Sequence, residues 1–161
     1  MEGMSDLERL VALEEIRLLK ARRDQAIDTK NWELYHSLHA PHHVSHNEGL
    51  PRWEGPDAMI AGTRASLEGK VSSHHSHTPD ITFESPTKAK GIWGMEDLIF
   101  DEKTKELLLH GFGYYHEEYE KVDGQWKFVW RQLRRTFVLT KEAGNLPGQL
   151  RTWSRERHDR A

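Results

Sequence analysis

The hydrophobic period of this chain changes partway along, and that change constrains the fold more than any other feature. Over the first thirty positions apolar side chains recur at steps of three and four, the spacing of a helix face. From His74 onward the period becomes two, the spacing of half-buried strands. Four alternating runs follow, at 74–84, 88–100, 106–120 and 125–139, separated by Ser85-Pro86-Thr87, the charged stretch 101–105 and Asp123-Gly124. Asp-Gly between two alternating runs is the strongest short-range hairpin signal. Helices first and a meander of long antiparallel strands after them predict an α+β domain, with the helices covering one face of the sheet.

Punctuation refines this layout. Ser5 followed by Glu8 is a capping box, so the first helix should start at Asp6. Leu7, Leu10, Val11, Leu13, Ile16, Leu19, Arg23, Ala26 and Ile27 trace its core-facing stripe, with a break expected near Ala12 or Leu13. Asp28-Thr29-Lys30-Asn31 ends it, and Trp32, Tyr35 and Leu38 mark a short helix stopping before Pro41. His42 to His46 predicts a short strand closed by Asn47-Glu48-Gly49, and Pro56 and Gly69 frame a helix over 57–68. Gly91, Gly94, Gly111 and Gly113 inside the long strands predict bending. A bent sheet closed by helices leaves a concave interior, the natural place for a small molecule.

Composition narrows the partners. A chain of 161 residues is long enough to bury one core without staples. No apolar run approaches the roughly 20 residues that span a bilayer, and the acidic N-terminus does not resemble a signal peptide. Cysteine is absent, which excludes thiolate chemistry and makes a cytoplasmic location the expectation. A net charge of −3 gives no electrostatic reason to expect nucleic acid or membrane as a partner. Arg151, Arg155, Arg157 and Arg160 are interleaved with acids and predict a solvated tail.

Eleven histidines are a different matter, since histidine supplies general bases and metal ligands near neutral pH. His74, His75 and His77 crowd one strand entry; two of them could serve as zinc ligands, or one as a general base oriented by a carboxylate such as Asp28. His39, His42, His43 and His46 form a second cluster without metal spacing. Arg23 falls on the core stripe, where a guanidinium must find a partner, a polar cavity or an edge from which to reach water. Along the last strand Arg131, Leu133 and Arg135 share one face, and Gln132 and Arg134 the other. Trp93, Met95, Tyr115 and Trp130 are expected in the core or the pocket wall.

Taken in order, the stretches 16–32 (IRLLKARRDQAIDTKNW), 73–83 (SHHSHTPDITF), 91–97 (GIWGMED) and 111–126 (GFGYYHEEYEKVDGQW) resemble the SnoaL-like branch of the NTF2-like superfamily. The likeness runs through Arg135 and covers residues 5 to 139 or so. This branch includes scytalone dehydratase, hexachlorocyclohexane dehydrochlorinase, bile-acid dehydratase and polyketide cyclases. The resemblance implies a cone of helices wrapped by a highly curved sheet around one deep pocket. It also implies a cofactor-free lyase or isomerase without a metal, in which Asp28 and His74 form the catalytic pair, with His75 or His77 in place of His74 if a bulge shifts the register. Arg23, Trp93, Met95, Tyr115 and Arg131 would contact a small, largely apolar substrate. Many relatives carry Tyr where Arg23 stands, and an acidic residue where His42 stands at the expected pocket rim. Two rival expectations remain: a ligand-binding module without catalysis, and a metal enzyme using the His74–His77 cluster. By the same resemblance residues 1–139 form the domain, residues 140–161 a tail serving as arm or pocket cover, and the chain a homodimer or homotrimer.

Overall fold

A computed structural model describes residues 3–142 and the backbone of residues 151–152. It opens with α1 (Asp6–Asp28), capped as the sequence predicts: the Ser5 hydroxyl accepts from the Glu8 amide, and the Glu8 carboxylate accepts from the Ser5 amide at 2.8 Å. The helix runs unbroken through Ala12 and Leu13, which corrects the expected break. Both are strong helix formers, and Ala12 is buried in the core. Leu7, Leu10 and Val11 are exposed, so the stripe that meets the sheet begins only at Ala12. Lys30, in the left-handed region at φ 57°, turns the chain, and Asn31 caps α2 (Trp32–Ser37) by accepting from the Leu34 amide.

The strand β1 (His39–Ser45) begins three residues earlier than expected, and a two-residue β2 (Trp53–Glu54) pairs with it. After Gly55 comes α3 (Pro56–Ser66). The four long strands are β3 (Lys70–Ser85), β4 (Lys88–Asp101), β5 (Leu107–Val122) and β6 (Gln125–Thr140). All form an antiparallel meander. The polar start of β3, Lys70–Ser73, carries no strand-like alternation; it is held because its backbone pairs with the end of β4, Lys70 opposite Asp101. At the β5–β6 turn Asp123 and Gly124 both have positive φ, 51° and 77°, as a two-residue primed turn demands. Among the described residues seven strands form one sheet in the order β2-β1-β6-β5-β4-β3. β1 runs parallel to β6, and β7 (Arg151–Thr152) pairs farther along β6, beside Phe137 and Val138. Most of the tail expected to form an arm or cover lies outside the described residues. No helix among the described residues is long and apolar enough to cross a membrane.

Register shifts between Phe112 and Gly113, and between Glu118 and Tyr119, bend β5 against β6 and curl the sheet. The concave face meets α1 over a core of Ile16, Leu19, Trp93, Met95, Tyr115, Tyr119, Phe128 and Leu133. A second cluster of Ala26, Ile27, Tyr35, Met59 and Leu67 joins the end of α1 to α2 and α3.

Gly111 has a packing reason of its own. A Cβ there would collide with the Arg135 guanidinium and the Asp97 carboxylate, which lie over this position. Gly111→Ala should therefore displace that ion pair and cost about 2–4 kcal/mol in urea denaturation, by overpacking and a damaged buried pair. A loss below about 0.5 kcal/mol would show that the pair does not need the space.

Candidate active site

A cavity of about 500 Å³ opens between the inner face of the sheet and the ends of α1, α2 and α3. His74 on β3 forms part of its wall. Its Nδ1 lies 2.6 Å from Asp28 Oδ1, and its amide donates to Asp28 Oδ2 at 2.7 Å. The Ser72 hydroxyl adds a third hydrogen bond to the same carboxylate. Asp28 ends α1, so a residue from the helix and one 46 positions later are brought into contact. A carboxylate only accepts, hence the Nδ1 nitrogen carries the hydrogen and Nε2 is the basic atom. No described residue bonds to Nε2.

Three arginines line the cavity: Arg23, Arg131 and Arg135. Arg135 grips Asp97 with two hydrogen bonds, 2.8 and 2.7 Å. Burial pushes the Asp97 carboxyl upward, but the Arg135 hydrogen bonds and charge outweigh it and hold the group below its usual range. Arg131 donates from Nε to Glu117 and from Nη1 to Asn47, each at 3.2 Å. Its guanidinium stacks 3.9 Å over the ring of Tyr115, another lining residue. Burial raises the Tyr115 phenol far above its ordinary pKa, so it stays protonated.

Beneath this floor lies a buried charged network. Lys20 and Glu117 are 1% and 0% exposed and meet at 2.5 Å. Glu117 also accepts from the Tyr119 hydroxyl, which accepts from the Trp93 indole. Burial lowers Lys20 to about 8, partly offset by Glu117. For Glu117 burial acts upward, yet Lys20 and Arg131 keep it ionised. Lys20 did carry a signal, four residues after Ile16 and three before Arg23 on the buried stripe. So did Glu117, between inward-facing Tyr115 and Tyr119 on an alternating strand. Asp97, opposite His74 in the β3–β4 register, carried no signal separating it from other strand carboxylates.

Trp93 and Met95, expected as substrate contacts, lie in the core below and are absent from the cavity lining. Trp130 is half-buried and likewise away from it. The strand-entry histidines diverge: His74 faces Asp28, His75 meets the Ser73 hydroxyl, and His77 points outward, 3.9 Å from Glu96. Among the described residues no three His, Asp or Glu side chains converge as metal ligands. His42 is not at the cavity rim; it is exposed and faces Glu120. Tyr35, which had marked only a helix, lines the cavity, and its hydroxyl accepts from Arg23 Nη2.

The sequence model of the SnoaL-like domain family matches residues 8–132. Solved structures with the same fold include a scytalone-dehydratase-like protein from Novosphingobium aromaticivorans, 23% identical, covering 84% of this chain and 91% of that one at a TM-score of 0.78. A type 2 hexachlorocyclohexane dehydrochlorinase is 22% identical over 84% of this chain and 93% of its own, at 0.76. A protein of unknown function from Mycobacterium tuberculosis is 21% identical over 82% and 76%, at 0.71.

Of the second histidine cluster, His39 and His43 pack behind Tyr35. His39 Nδ1 bonds to the Tyr35 carbonyl, and its ring stacks on Phe128 and meets that of His43 at 4.6 Å. Burial, reinforced by nearby cations, lowers His43 to about 3 and His39 well below its ordinary value, so both are neutral in the folded chain. In the unfolded chain each protonates near 6.5. The stability they confer is complete above pH 6.5 and is lost as pH falls toward 3, by up to about 1.4 kcal/mol per pH unit for each ring. Urea midpoints should therefore drop steeply between pH 6.5 and 4 in the wild type and less steeply in His43→Leu. Parallel profiles would mean that His43 is not a buried neutral ring.

Proposed function

The chain belongs to the SnoaL-like domain family, within the NTF2-like superfamily, and on that premise we propose that it is a cofactor-free lyase or isomerase of small molecules. One observation carries this reading: the 2.6 Å contact between His74 Nδ1 and Asp28, with the imidazole on the cavity wall. In the proposed reaction His74 Nε2 takes a proton from a carbon next to a carbonyl or a leaving group. Asp28 fixes the tautomer and stabilises the imidazolium that forms. Arg131 and the protonated Tyr115 hydroxyl stabilise negative charge as it develops on the substrate.

The cavity supports a substrate class as well. Ile27, Leu67, Ile99, Leu109, Leu133 and Val138 supply an apolar lining, and about 500 Å³ suits one compact cyclic or aromatic molecule. Elimination of water or another small leaving group is the favoured chemistry. The names of two structural neighbours, a dehydrochlorinase and a scytalone-dehydratase-like protein, agree with it. The proposal includes a cytoplasmic location and a homodimer or homotrimer. Ile92 and Tyr114, 40% and 43% exposed, support the latter as apolar groups for a second copy to cover.

A panel of cyclic β-hydroxy and β-halo carbonyl compounds, assayed for release of water or halide, tests the chemistry. With the best substrate, His74→Ala should lower kcat by about 10²–10⁴, the usual worth of a positioned base. Asp28→Asn should lower it by at least about 10², because the amide no longer enforces the productive tautomer. Undiminished turnover in either variant removes the pair from the mechanism. For the assembly, light scattering should give two or three times the chain mass for the wild type, falling to one in Ile92→Lys/Tyr114→Lys; a monomeric wild type refutes it.

A further inference from the structure

Arg23 lines the cavity, yet its guanidinium has little to offer a ligand directly. Nη2 donates to the Tyr35 hydroxyl at 2.5 Å. Nε and Nη1 are sealed from solvent and make no hydrogen bond; Nη1 stands 3.6 Å from Asp24 Oδ1, an ion pair beyond bonding reach. All three nitrogens are therefore spent or enclosed. Tyr35 is in the opposite condition. Arginine has only donors, so the contact with Arg23 uses the oxygen of Tyr35 and leaves its hydrogen free. No described residue accepts that hydrogen, although the side chain is 1% exposed and sits on the cavity wall. Its ring is packed against Trp32 and His39, which fixes where the hydroxyl stands on the wall.

We propose that the Tyr35 hydroxyl is a hydrogen-bond donor to an anionic oxygen of the ligand, an enolate or phenolate, with Arg23 acting through Tyr35 as a positioning residue. This deepens the lyase reading and rests on it. A guanidinium donating to a hydroxyl oxygen polarises the O–H bond and strengthens its onward hydrogen bond. A fixed donor of this kind favours the charged form of a ligand oxygen over its neutral form. The arrangement assigns Arg23 a use that a permanently charged side chain can fulfil, namely holding and polarising a donor supplied by the neighbouring helix.

The probe is 4-nitrophenol, whose absorbance distinguishes phenol from phenolate. Wild-type protein should bind the phenolate in preference to the phenol. Tyr35→Phe, which keeps the ring packing, should weaken phenolate binding about ten- to a hundredfold, the range for one hydrogen bond to a charged acceptor. Binding of the neutral phenol should change less than about threefold. In the double variant with Arg23→Gln the loss should be smaller than the product of the single losses, since the two residues act in series. Unchanged phenolate affinity in Tyr35→Phe, a wild type that binds neither form, or fully multiplicative losses would each overturn the proposal. Unfolding of Tyr35→Phe is checked by thermal melting, and Tyr35 fluorinated beside the hydroxyl then serves instead; it should tighten phenolate binding, and no change counts against the proposal. His74→Ala should retain the phenolate preference, so the dyad, judged by turnover, and the Tyr35 donor fail separately.

Discussion

The carboxylate of Asp28 holds the end of a 23-residue helix against the entry of the first long strand. It accepts from the Ser72 hydroxyl, the His74 amide and the His74 ring. Three donors on one carboxylate do two things together. They tie the end of α1 to the start of β3. They also orient the imidazole, whose Nδ1 is committed to Asp28. Ring orientation and helix packing thus share the same three hydrogen bonds, on a helix and a strand rather than on loops.

The interior behind that contact is unusually charged. Lys20, Arg23, Arg131 and Arg135 all lie inside, and each must be compensated or it would unfold the domain. Arg135 is matched by Asp97 in bidentate geometry, while Lys20 and Arg131 share Glu117. Arg23 is compensated least well, with a distant Asp24 and a hydroxyl. Apolar residues of similar volume would stabilise the same space at least as well. Hydrogen bonds within this network hold the charged side chains in fixed relation around the cavity.

Much of the architecture was legible from local rules. The capping box at Ser5 and Glu8, the Asp123-Gly124 turn and the alternation of the four long strands depend on neighbours within a few residues. Such interactions are the same wherever the segment sits. The unbroken α1, the early start of β3 and the parallel pairing of β1 with β6 depend on a surface supplied by other elements. Polar stretches such as Lys70–Ser73 become strand because β4 offers them backbone partners, which no local pattern records.

The site divides in the same way. Asp28 and His74 stood out because a carboxylate at a helix end and a histidine opening a strand follow a recognisable order, and the family resemblance paired them. Lys20 and Glu117 are charges at core spacing that no motif singled out, and nothing in one dimension joins residues 97 positions apart. The sequence by itself determined periods, caps and turns, and with them helices before a bent meander, since those follow from backbone sterics and short-range hydrogen bonds. Only the tertiary structure decided that Arg135 meets Asp97, that Tyr35 takes the Arg23 guanidinium and that Trp93 and Met95 lie below the cavity. Those choices depend on sheet curvature and strand register, where one bulge shifts which side chains face inward.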